Sequence, residues 1–287
     1  MGFKDNNWVK GCGIGCGAMV LIAILIFVGG GLWIRGIFDG VRDLSDSEDE
    51  LVETHGAPGD YVPAADQSIP PLRIEIFLAV RDSMSSGWDD LESACTALPD
   101  KVESARGGPR KAFAVLTGLA GMVNPIAEHL DRRNRLLLDA GMGLGEYLHI
   151  YTTAYYGWLG KDPGAGPAAE TGGMREMMFS GEDATYSQER CFKESRRLML
   201  GFLRNAIKSL PGSAEPGGDP ALADRLAAEL RRCEFQPTVL PWTEGLPTAA
   251  EASLVPYRDR LISAWNGPSN CFELPRDFER SWEINLD

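Results

Sequence analysis

The stretch Leu72-Arg-Ile-Glu-Ile-Phe-Leu-Ala-Val80 decides the fold class, because it carries two periods at once. Leu72, Ile74, Ile76, Leu78 and Val80 alternate as a half-buried strand does, while Leu72, Ile76, Val80 and Met84 recur every four residues as on a helix. Pro71 suits the first position of a helix, where its missing N–H leaves no bond unmade. Neighbours with helical period settle the choice, and a helix is expected. Apolar residues then surround most of its circumference, which puts Arg73 and Arg81 in an apolar zone. Buried guanidinium groups require carboxylate or carbonyl partners. An anion-binding pocket built on the two arginines is the alternative.

Downstream, helical patterns continue. Residues 88–102 carry Leu91, Cys95 and Leu98, and a longer stretch after Gly107-Gly-Pro109 is interrupted at Asn124-Pro125. Gly141-Met-Gly-Leu-Gly145 reads as a stop and restart between helices. The helix that follows, from about Leu144 to Leu159, places Leu144, Leu148, Tyr151, Tyr155 and Trp158 in one broad arc with Tyr147 beside them. Glu146 and His149 lie opposite that arc, sharing a face with Thr153 and Tyr156. A Gly/Pro-rich excursion spans 160–184, with the cluster Met174-Arg-Glu-Met-Met-Phe179 inside it. Thr185-x-x-Gln188 resembles a capping box for an amphipathic helix, and Asp219-Pro220 starts another after the loop 211–219. Gln236 to Ala250 reads as extended, and a last helix near Pro256 carries Tyr257, Leu261 and Trp265. The expectation is a mainly α protein, its residues 72–287 forming an all-α domain of about seven or eight helices.

Upstream, the pattern changes. After a short tail (1–10), no charged residue occurs from Gly11 to Ile34, and Lys10 and Arg35 bracket the run. As a helix it is about 36 Å long, enough for a single transmembrane pass through the lipid bilayer. Leu32, Trp33 and Ile34 continue the apolar run past Val28-Gly29-Gly30, which favours an uncleaved signal-anchor over a signal peptide. Lys4 and Lys10 on one side balance Arg35 and Arg42 on the other. The shortness of the N-terminal tail then tips the expectation towards an extracytoplasmic domain. Gly11, Gly13, Gly15 and Gly17 form small-xxx-small pairs that would permit self-association in the membrane. Residues 35–71 are rich in Asp and Glu and punctuated by Pro and Gly, so they read as a flexible acidic tether. A short helix capped by Ser45 is the local exception.

Among function classes, a formal net charge of −13 over 287 residues excludes a phosphate-driven nucleic-acid binder. Cys95, Cys191, Cys233 and Cys271 would form two disulfides or remain buried thiols, according to the side of the membrane they occupy. There is no C-x-x-C pair. Only three histidines exist, so Glu146-x-x-His149 lacks the second Glu-x-x-His of a four-helix di-metal site. Neither G-x-S-x-G, H-E-x-x-H nor a phosphate-binding loop is present. No cofactor or metal is therefore expected. The leading expectation is a membrane-anchored, non-catalytic domain that binds a protein partner as scaffold, assembly factor or sensor. A small-ligand or lipid-binding pocket lined by Tyr147, Tyr151, Tyr155 and Trp158 is the second. An enzyme of unfamiliar type, using Arg73, Arg81, Glu146 and His149 together, is the third.

Overall fold

The computed structural model describes residues 42–89, 93, 125–165, 185–210 and 220–274. Helix α1 covers 42–55, α2 Pro71–Met84 and α3 125–139. Helix α4 spans Leu144–Tyr151 and runs on as a π-helix through Thr152–Trp158. Helices α5 (Thr185–Ser209) and α6 (Pro220–Phe235) follow, then α7 (Thr248–Leu254), α8 (Arg258–Ser263) and α9 (Gly267–Glu273). No strand occurs among the described residues. The protein is mainly helical, as its periodicity predicts.

The ambiguous stretch is helical. Pro71 opens α2, and Ile74, Phe77, Leu78, Val80, Arg81 and Met84 are buried, a spacing that only a helix brings to one side. Leu72, apolar on either period, is 68 % exposed. The centre of the core is α4, where every residue from Leu144 to Tyr156 except Glu146 is buried. A helix apolar nearly all round has to be covered on all sides. The other helices share one core with it through Ile74 and Phe77 of α2, Met199 and Phe202 of α5, Leu226 of α6, Leu254 of α7 and Leu261 of α8.

The expected tether requires correction from residue 42 onwards. Residues 42–55 are helical, with Leu51 1 % exposed and part of the core. Leu44, Ser47 and Leu51 turn inward, while Asp43, Asp46, Glu48, Asp49, Glu50 and Glu53 stay exposed. Averaged over the segment, the acids conceal that narrow inner stripe. Beyond α1, a 3₁₀ turn at Pro58–Asp60 begins a strap that lies on α4 and α5. A Cβ on Gly145 would fall 2.6 Å from Pro58 O and 2.7 Å from Tyr61 Cβ, so glycine is what allows the contact. From α5, Asn205 Nδ2 donates to Gly59 O (2.7 Å) and Tyr61 O (3.0 Å). The strap ends with Ile69, buried in the core.

Two further elements depart from expectation. The segment read as extended from Gln236 makes turns and enters α7 at Thr248. The single last helix is divided into α8 and α9, because Asn266 accepts a hydrogen bond from Ser269 N (2.7 Å) and caps a new helix ahead of Pro268. The 11–34 span with its glycines, the tail, residues 35–41, the helices expected within 94–123, and residues 166–184 and 211–219 of the two excursions lie outside the described residues. Among the described residues, no helix is long and apolar enough to cross a membrane.

Candidate functional site

The seven residues singled out by sequence are distributed over separate environments. Arg81 has no exposed surface and lies on the inner side of α2. Its Nη1 donates to Glu273 Oε1 (2.5 Å) and Tyr147 Oη (3.3 Å). Its Nε and Nη2 donate to Ala264 O just beyond α8 (3.2 and 2.9 Å). Tyr147 in turn donates to Glu273 Oε2 (3.1 Å). From α3, Arg133 Nη1 donates to the backbone oxygen of Glu273 (2.9 Å) and lies 3.6 Å from its Oε2, while His129 Nε2 stands 3.5 Å from Oε1. Arg133 also donates to Asn134 Oδ1, and Asn134 Nδ2 donates to Ser47 Oγ on α1 (3.3 Å). One connected polar cluster thus joins α1, α2, α3, α4, α9 and the end of α8.

Its electrostatics keep Glu273 and Arg81 charged. Burial alone would push the Glu273 carboxyl up, but Arg81, His129 and Arg133 outweigh burial and hold it well below the ordinary carboxylate range. Burial likewise opposes the Arg81 charge, and Tyr147 and Glu273 more than offset it. The Trp88 ring covers the Arg81 guanidinium at 5.0 Å and the Tyr151 ring approaches it at 5.3 Å.

A second buried cluster centres on Asn270 of α9. Its Oδ1 accepts from Tyr151 Oη (2.9 Å) and Tyr156 Oη (2.7 Å), and its Nδ2 donates to Pro163 O (2.8 Å) and Ala165 O (3.0 Å). The π-helix explains why two tyrosines five residues apart meet one acceptor, since i→i+5 winding aligns them. Tyr156 therefore turns into the core, not onto the face of Glu146 and His149 expected from ordinary helical spacing. Tyr147, Tyr151 and Tyr155 have no exposed surface. Tyr151 and Tyr155 pack on Trp265 at ring distances of 6.0 and 4.8 Å, and Trp158 borders the same core. The aromatic stripe is packing. The Tyr155 hydroxyl lies beside Arg81, and burial pushes it up to about 12.

Arg73 and Glu146 form the pair that their spacing on separate helices did not announce. Arg73 Nε donates to Glu146 Oε1 (2.6 Å), Nη2 donates to Oε2, and Nη2 also reaches Gly141 O (3.1 Å). Both side chains are partly exposed, at 23 % and 17 %. The bond to Glu146 raises the Arg73 pKa, and burial followed by the Glu146 charge pushes the Tyr61 hydroxyl up to about 12. His149 is buried between Tyr61 and Phe202, at ring distances of 5.5 and 5.4 Å. Burial pushes it down to about 4, so it is neutral at neutral pH. It lines a cavity of about 10 Å³ with Gln67, Thr152, Thr153, Met199, Phe202, Leu203 and Trp242. Neither arginine nor Glu146 lines that cavity, so the four polar candidates do not make one site.

Sequence reading missed Glu273, Asn270 and Arg133. The capping signal Asn266-Gly-Pro268 would have marked α9, but nothing local announces which way its acid and amide point. Cys233 is a buried thiol near Glu229 Oε1 (3.8 Å), pushed up to about 11 by burial. Among the described residues, no group of three His, Cys, Asp or Glu is placed to hold a metal ion. Comparison of the chain with protein-family models, curated proteins and solved structures found no match.

Proposed function

We propose that the chain is a single-pass membrane protein whose helical domain binds another protein without catalysis, as a scaffold, assembly factor or sensor. The observation that carries this reading is the uncharged run Gly11–Ile34 between Lys10 and Arg35. The described domain adds support of a different kind. Its buried charged groups are engaged with one another, Arg81 and Arg133 with Glu273. Its polar candidates do not converge, and its tyrosines form packed core in place of an open aromatic pocket. Only residues 35–41 separate the proposed anchor from α1. Fully extended, that length reaches about 25 Å, so the start of α1 lies within that distance of the proposed anchor's end. The extracytoplasmic side is proposed for the domain, and the glycine-lined end of the anchor for self-association.

Alkaline extraction of membranes tests the anchor. The chain is expected to stay with the bilayer, and a double substitution Ile24→Lys with Ile26→Lys to release it. Protease treatment of sealed vesicles then reads the side on which the domain lies. In mild detergent the chain is expected to purify with a second protein in fixed ratio. Release of the unaltered chain at alkaline pH, or a monomer with no companion in mild detergent, would overturn the proposal.

A further inference from the structure

The small cavity beside His149 is bounded by α4, α5, the strap and the turns before α7. Its polar walls come from Gln67, His149, Thr152 and Thr153. The Thr152 hydroxyl donates to Leu148 O (2.8 Å), and Gln67 Nε2 donates to Ala64 O (3.0 Å). That leaves the Gln67 amide oxygen, the Thr153 hydroxyl and the His149 imidazole, none of which has a hydrogen-bond partner among the described residues. All three residues are buried, at 4–5 % exposure. Buried polar groups are as a rule bonded to protein or to ordered water.

Backbone conformation singles out the same place. Gln67 (φ 61°) and Trp242 (φ 70°) are the non-glycine residues with left-handed φ among those described, and both line this cavity. Such strain persists only where the surroundings impose it. Trp242 is held by its N–H donating to Glu229 Oε1 (2.5 Å) and by Gly245 N–H donating to its carbonyl (3.0 Å). Gln67 is held by its side chain and its backbone N–H, which both donate to Ala64 O.

A volume of about 10 Å³ admits about one water-sized molecule, and such a molecule is retained where two to four polar groups surround it. No Lys, Arg, Asp or Glu lines the cavity, so neither an anion nor a cation finds a counter-charge there. We propose that this cavity is a binding site for one neutral, water-sized hydrogen-bonding molecule, filled by water in solution and held by Gln67, Thr153 and His149. The neutral imidazole offers one donor and one acceptor, the hydroxyl either, and the Gln67 oxygen an acceptor. A single water satisfies all three and ties the strap to α4.

Thr153→Val separates a wet site from a dry one by the sign of its effect, because the two side chains have nearly the same shape. In a wet site valine strips a partner from the water, and the unfolded-to-folded ratio of the detergent-solubilised chain is expected to rise about 5- to 30-fold. Thr153→Ser, which keeps the hydroxyl, is expected to lose less. In a dry cavity valine removes an unbonded hydroxyl, and the urea midpoint rises or stays unchanged. That result would overturn the proposal. A high-resolution crystal structure of the unaltered chain gives an independent reading that does not need the variant to fold. A water within hydrogen-bond distance of Gln67, Thr153 and His149 is expected, and an empty cavity would overturn the proposal.

Discussion

At Glu273 one carboxylate without solvent exposure faces Arg81, Arg133 and His129, so its removal leaves guanidinium charge with no carboxylate among the described residues. Breaking such a pair from one side costs about 3–5 kcal/mol, while replacing both partners by apolar residues costs less. Glu273→Gln is therefore expected to lower the urea midpoint strongly. Arg81→Met combined with Glu273→Leu should be milder than either single change, and a double change as severe as the sum would refute the pairing. The acid limb of stability follows from two depressed pKa values. Unfolded His149 takes up its proton near the ordinary 6.5, whereas folded His149 resists to about 4, so the unfolded state binds more protons in between. Stability is fully present above about 6.5 and falls by on the order of 3 kcal/mol as pH drops to 4. Glu273, also depressed, contributes stability above the ordinary carboxylate value of about 4.3 that is lost at lower pH. Urea midpoints measured from pH 7 to 4.5 should slope downward in the unaltered chain and flatten in His149→Gln.

Between elements, the tightest join is the strap on α4. Gly145 has Pro58 O and Tyr61 Cβ where a side chain would start, and backbone cannot yield as a flexible side chain does. Gly145→Ala is expected to destabilise by about 1–3 kcal/mol, against the gain in helix propensity that alanine normally brings. Gly201, on α5 with open space around it, supplies the control. Gly201→Ala should raise the midpoint, and equal effects at the two glycines would refute the close approach. The same elements show what the sequence made legible. Helix α2 was readable because its neighbours share its period and Pro71 marks its start. Partners for Arg73 and Arg81 were foreseeable as a need, since a buried guanidinium has to be bonded, but Glu146 and Glu273 lie 73 and 192 residues away and no local pattern carries that distance. Helix α1 was legible only in part, as a short helix capped by Ser45, because its inner side holds only Leu44, Ser47 and Leu51 among exposed acids. The π-helix was hidden too, since Thr152–Trp158 fits ordinary helical spacing until Tyr156 is found beside Tyr151 on Asn270.

For the molecule as a whole, the place where folded structure begins matters more than any single contact. If residues 42–71 were spacer, a chain starting at Ile69 would keep the entire domain. The structure implies otherwise, because α1 brings Leu51 into the core and Ser47 into the Asn134–Arg133–Glu273 cluster, and the strap covers α4. Losing Leu51 alone from the core costs about 2–5 kcal/mol, and losing the strap adds exposure of α4. A marginally stable domain has about 5–15 kcal/mol in total. Trimming the chain to start at residue 42 is accordingly expected to leave a cooperative unfolding transition, and trimming to residue 69 to abolish it or shift it far down. Circular dichroism against urea distinguishes the two, and equal midpoints would return 42–68 to the status of a tether. The outcome also bears on the proposed anchor. With α1 covering 42–55, residue 42 cannot stand off from Ile34 by more than about 25 Å, whatever shape residues 35–41 take. In a nanodisc, energy transfer from a dye on residue 45 to labelled headgroups should be high. Inserting 30 Gly/Ser residues after Arg35 should lower it, because a flexible chain of that length adds roughly 30 Å of reach. If the inserted linker changes neither energy transfer nor partner recovery, the domain is held at the membrane by its own surface and not by the shortness of its leash.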